Sequence, residues 1–135
     1  MVSAKRILPK FLALAPVFWT APALAEEAKS PIGYASVAEA LEALRSDPTA
    51  TESTQQGWIL FVRAQGLEFW SFTPESHPAH PSAAKRTAHK DLKGGWAVET
   101  RLLCQADKAS CDALAEDYRQ LDARMKANIR KRHGS

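Results

Sequence analysis

The 135-residue chain has only two cysteines, Cys104 and Cys111, and they are not in a C-x-x-C arrangement. That spacing excludes a thioredoxin-type redox pair. With no histidine close by in sequence, the two also make a poor zinc site. There is no G-x-S-x-G elbow, no H-E-x-x-H helix, no P-loop and no dinucleotide fingerprint, so no common enzyme site is spelled out. No apolar run approaches the ~20 residues that a membrane-spanning helix needs, and no internal repeat occurs. Net charge is scarce too. The formal charge of +3 and pI near 9.0 suggest a polyanion binder, but Lys5, Arg6 and Lys10 lie in the first 25 residues, which contain no acid. The remainder holds 15 basic and 15 acidic residues. Overall charge therefore gives no argument for a nucleic-acid partner. A hydrophobic fraction of 45% and a charged fraction of 24% are those of an ordinary globular domain, and the length suits one domain.

What is present begins with an export signal. Lys5, Arg6 and Lys10 form a positive leader, Phe11 to Trp19 a short apolar stretch broken by Pro16, and Ala23-Leu24-Ala25 a small-residue cleavage site. The expected organisation is a signal peptide over 1–25, a flexible mature N-terminus over 26–35, a single α+β domain over 36–132 and a tail over 133–135. Export to the periplasm would make Cys104 and Cys111 a disulfide; two free buried thiols are the alternative.

Along the domain, Ser36-Val37-Ala38-Glu39 has the form of a capping box. Val37, Leu41 and Leu44 then recur at helical spacing until Asp47-Pro48, predicting a helix over Val37 to Ser46. Thr49 to Gln56 reads as a polar linker. Trp58 to Arg63 and Leu67 to Thr73 read as a hairpin around Ala64-Gln65-Gly66. Pro74 to Pro81 is a loop with three prolines, and Ala83 to Ala88 a weak third strand. In Trp96 to Cys104, Trp96, Val98, Leu102 and Cys104 face in, and Glu99 and Arg101 face out. Ser110 is positioned to cap a last helix of about five turns, on which Cys111, Leu114, Tyr118, Leu121, Met125 and Ile129 make an apolar stripe. The sum is an α+β fold: an N-terminal helix, an antiparallel sheet of three or four strands, and a long C-terminal helix. Both helices are expected on one sheet face, and the disulfide ties the last strand to the last helix.

Several residues are candidates for chemistry. Trp58, Trp70 and Trp96 fall in three different strands, as core under the helices or as a stacking platform for a sugar or peptide. In Trp58 to Arg63 both strand faces are apolar, so either both are covered or one is a docking surface. His77, His80 and His89 could hold a metal, although the prolines beside His77 and His80 and the lack of a nearby acid or thiol favour a rigid braced loop. Lys85 and Arg86 could grip a carboxylate or phosphate; the plainer expectation is a strand edge kept soluble by charge. Arg124, Lys126, Arg130, Lys131 and Arg132 form an acid-free basic end to the last helix. They complement its dipole or dock an anionic lipid or acidic protein.

The Gly33 to Leu41 opening (Gly-Tyr-x-Ser-Val-x-Glu-Ala-Leu), the Trp70 to Ala79 run (Trp-x-Phe-Thr-Pro-x-x-His-Pro-Ala), Lys85-Arg86-Thr87 after Pro81, and Leu103-Cys104-Gln105-Ala106 ahead of Cys111 resemble a family of small, largely uncharacterised exported proteobacterial proteins. The resemblance spans nearly all of the mature chain. It implies the periplasm and the disulfide, and brings no catalytic residues with it. The chain departs from that pattern at His80 and Ala83-Ala84. His77-Pro78-Ala79 lacks the aspartate of a J-domain motif, and the strands are wrong for that all-helical domain.

These residues favour a non-catalytic periplasmic binding module, of the inhibitor or immunity type, that contacts an envelope protein or a hydrolase. Trp70, His77, His80, Lys85 and Arg86 are its expected contact residues, and no cofactor is expected. The alternatives are a small metal-binding protein or enzyme centred on His77, His80 and His89, and a peripheral envelope protein held by the basic helix.

Overall fold

The computed structural model describes residues 30–133. The expected signal peptide and its cleavage site, the start of the mature N-terminus, and the end of the tail lie outside the described residues. Helix α1, Val37–Arg45, begins as its capping box implies. The Ser36 hydroxyl accepts from the Glu39 N–H at 3.1 Å, and the Glu39 carboxylate reaches back to the Ala35 N–H at 3.2 Å. Its stripe of Val37, Ala40 and Leu44 is buried. Packing starts ahead of the helix: Ile32 is buried, and the Tyr34 ring meets Trp70 edge-on with centroids 5.9 Å apart. Part of the segment expected to be flexible is therefore folded onto the domain.

The sheet has five strands, not three or four, in a simple antiparallel meander: β1 Thr51–Gln55, β2 Trp58–Arg63, β3 Glu68–Phe72, β4 Ser82–Lys90 and β5 Trp96–Cys104. The additional strand is β1, which lies inside the expected polar linker. It pairs with β2 through a two-residue turn at Gln56-Gly57, with Gln55 opposite Trp58. Both turn residues have positive φ, 49° and 83°. That is the turn whose twist suits a tight hairpin, and glycine takes its second position without strain. All five β1 residues are exposed, so the strand carries no alternation that a sequence pattern could reveal.

β4 is not an edge. It is hydrogen-bonded to β3 on one side and to β5 on the other, and it runs for nine residues. Ser82, Ala83 and Ala84 are buried at its start. Their small size lets both sheet faces be covered closely there.

The two helices lie on opposite faces, which corrects the expectation of a single covered face. α1 packs over Phe61, Trp70, Phe72 and Ala83. α2, Lys108–His133, packs with Leu114 and Tyr118 over Ala84, Ala79, Leu102 and Cys104. The reason lies in β2 and β3, where residues alternate between two apolar sets, each of which needs cover. Burial of a side chain such as Phe61 or Leu44 contributes about 2–3 kcal/mol. The N-cap of α2 is Asp107, not Ser110: its carboxylate accepts from the Ser110 N–H at 3.0 Å, and this bond holds the Asp107 pKa below the usual carboxylate value. The Cys104–Cys111 disulfide joins the end of β5 to the first turn of α2, as the sequence implied.

Candidate functional site

β2 presents Trp58, Leu60 and Val62 to the α2 side and Ile59, Phe61 and Arg63 to the α1 side. α2 runs beside β5, and its cover does not extend across the whole face. Trp58, Leu60, Val62 and Phe69 remain half-buried. Between these strands and the helix lies a groove of about 470 Å³. Gln55, Trp58 and Leu60 form one side; Leu114, Tyr118 and Leu121 form the helix wall. His77 and Arg86 line it from the loop and from β4, and Asp117 and Arg124 stand at its exposed rim.

The polar groups around this groove are held in place. Ser71 Oγ and the Tyr118 hydroxyl share a hydrogen bond of 2.6 Å. Burial pushes the Tyr118 pKa above its ordinary value of 10.0, and the bond to Ser71 only partly opposes that. The Arg86 guanidinium donates to Asp122 Oδ1 from Nε at 3.1 Å and from Nη2 at 2.5 Å, and it also contacts the Met125 sulfur. Thr100 Oγ1 donates to Asp122 Oδ2 at 2.6 Å. This cluster ties α2 to β4 and β5 half-way along the helix. The Trp58 and His77 rings meet edge-on at 5.3 Å. His77 Nδ1 accepts from the Ala79 N–H at 3.0 Å, so the neutral ring carries its proton on Nε2 and keeps a donor there.

The loop from Pro74 to Pro81 is anchored on both sides. Thr73 Oγ1 accepts from the Ser82 N–H at 2.9 Å, the Ser82 hydroxyl donates to the Ala79 carbonyl at 2.5 Å, and the Gln105 N–H donates to the Pro81 carbonyl at 2.9 Å. Ala79 is fully buried under α2. His80 is exposed, with its Nδ1 3.0 Å from the Thr73 carbonyl.

The residues singled out from sequence are thus divided between the two faces. Trp70 is 2% exposed in the α1-side core, where its indole N–H donates to Glu68 at 2.6 Å. Lys85 lies on the same face, its ammonium 5.6 Å from the Trp70 ring centroid. His77 and Arg86 belong to the other face and line the groove. His89 sits near the far end of β4, paired with Ala97. Seven residues of strand beyond Ser82, it is roughly 23 Å along the sheet from the loop that carries His77 and His80. Among the described residues no three His, Cys, Asp or Glu side chains converge as metal ligands. Sequence reasoning missed Leu60, Tyr118 and Asp122. For Leu60 the two-faced apolar pattern of β2 was the available signal; for Asp122 no signal existed before α2 was placed against β4.

The groove offers apolar area, one indole, the His77 Nε2 donor and an exposed charged rim of Asp117 and Arg124. Its inner hydroxyls, Ser71 and Tyr118, are bonded to each other, and the Arg86 guanidinium is engaged by Asp122. Compared with protein-family models, with curated proteins and with solved structures, the chain matches none, so the reading of this site rests on its geometry.

Proposed function

We propose that this protein is a non-catalytic periplasmic binding module that seats a segment of an envelope protein, or of a hydrolase it inhibits, in the groove between β2 and α2. The observation that carries this reading is the unequal cover of the sheet. The α1 face is closed over Trp70 and Phe72, whereas Trp58 and Leu60 stay half-buried on the other face beside Tyr118 and Leu121. Large apolar side chains left partly open next to a polar rim are the usual composition of a protein contact site. An indole in such a position makes a strong anchor. The ion pair and hydrogen bonds that fix the groove wall reduce the ordering cost of binding. Export to the periplasm and membership of the small exported family are part of the same proposal, supported by the leader and by the Trp70 to Ala79 motif.

Site-specific photocrosslinking in intact cells tests it. A benzophenone amino acid replaces Trp58, and in a control replaces Leu92, an exposed residue away from the groove. The expected result is a discrete adduct with one envelope protein from position 58, weakened by Leu121→Arg and absent from position 92. Equal adducts from both positions, or none from position 58, would refute the reading.

A further inference from the structure

α2 is divided electrostatically. From Lys108 to Asp122 most charges are paired locally or against the sheet: Lys108 pairs with Asp112 at 2.7 Å, Arg119 with Glu116 at 2.7 Å, and Asp122 with Arg86 at 2.5 Å, while Asp117 stands exposed. From Arg124 to Arg132 there are five cations and no acid. Arg124, Lys126, Arg130, Lys131 and Arg132 are all exposed, and none is in an ion pair among the described residues. Ala127 and Asn128 are exposed as well, so the stretch from Lys126 to Asn128 lies clear of the sheet.

The helix dipole supplies roughly half an elementary negative charge at this end. Five cations exceed that several-fold. Lys126 and Arg130 stand at i and i+4, a repulsive spacing for like charges. The arrangement therefore carries uncompensated repulsion, which an anionic partner relieves. At about 100° per residue, the five side chains fall on all sides of the helix axis. They make no single apolar or basic face that would lie along a groove. They do present their whole charge to a plane approached end-on, since the segment spans about 12 Å of helix, close to a Debye length. Charge elsewhere sets the orientation: residues 26–84 hold three basic and eight acidic residues, so an anionic plane repels the body and attracts the tip.

We propose that the C-terminal end of α2 docks end-on to an anionic phospholipid bilayer through Lys126, Arg130, Lys131 and Arg132, with Arg124 adding to the field. The contact is peripheral and electrostatic, and it leaves the groove free. Each cation contributes roughly five-fold in affinity at low salt.

The test is co-sedimentation of the protein from Glu26 to Ser135, the expected mature form, with vesicles of about one-third phosphatidylglycerol in phosphatidylcholine, at about 50 mM and about 500 mM salt. Binding is expected at low salt only, with none to phosphatidylcholine alone. Changing Lys126, Arg130, Lys131 and Arg132 together to Gln should lower affinity at least about ten-fold with a melting temperature no lower than the parent's. Exchanging Lys and Arg at the same positions should retain binding. Equal binding to neutral vesicles, full binding by the Gln variant, or tighter binding to a short DNA duplex at the same salt would each overturn the proposal.

Discussion

Asp122 offers the sharpest test of how α2 is held. Its carboxylate is bound by two nitrogens of Arg86 and by the Thr100 hydroxyl. The two charged side chains are 12% and 24% exposed, so the pair is largely removed from water. At an effective dielectric of about 20, two charges about 4 Å apart attract by roughly 4 kcal/mol. Desolvation of both partners consumes much of that gain. The pair as a whole should therefore contribute little compared with a well-packed apolar replacement. Breaking it is another matter, because Arg86 would remain under α2 with no anion. We expect Asp122→Ala to cost about 3 kcal/mol. Asp122→Asn, which keeps an acceptor for Thr100, should cost about 2 kcal/mol. The double variant Arg86→Met/Asp122→Leu should fall within about 1 kcal/mol of the parent. Urea denaturation followed by circular dichroism measures all three. Strictly additive losses, or a loss under about 0.5 kcal/mol for Asp122→Ala, would mean that this cluster does not fix the helix.

Two further outcomes follow from the same face. Changing Cys104 and Cys111 to Ser opens a loop of sequence separation 7 and should cost about 2.4 kcal/mol by chain entropy, or roughly 10 °C in melting temperature; an unchanged thermal melt would refute the staple role. Because burial raises the Tyr118 pKa in the folded state, its contribution is fully present below the unfolded value near 10 and is lost as pH rises above that. Tyr118→Phe should therefore flatten the alkaline decline in stability, and parallel pH profiles for parent and variant would contradict this.

Elements defined by local chemistry were readable in the sequence. The Ser36–Glu39 box, the alternation in β5, the β2–β3 hairpin and the staple between strand and helix all depend on residues close together in the chain. β1 was not readable, because both of its faces are open and nothing selects apolar residues at alternate positions. Its Gln-Gly turn was the one usable sign. β4 looked weak because alanine and serine carry little strand preference, yet Ser82, Ala83 and Ala84 are buried as the thin layer between two helices. The site was less legible than the fold. Trp70 and Arg86 stand near one another in the motif, but their parity in the strands sends them to opposite faces.

That same parity explains why a groove exists at all. Ala84 and Ala79 let α2 approach the sheet beside β5, where Leu102 and Cys104 meet Leu114. On β2 the corresponding face bears Trp58 and Leu60; Trp58 packs against the Leu114 and Tyr118 cluster on one side, and both residues stay half-buried where they line the groove. Two restraints give α2 a fixed position: the disulfide at its first turn and the Arg86–Asp122–Thr100 cluster farther along. The helix therefore cannot swing over to bury Trp58 without breaking one of them. An apolar surface that the chain's own helix covers only in part, with a wall fixed by these restraints, has little ordering left to lose, and that is what the proposed binding role would use. On this face it follows from placing a small residue, Ala84, on β4 and large ones, Trp58 and Leu60, on β2.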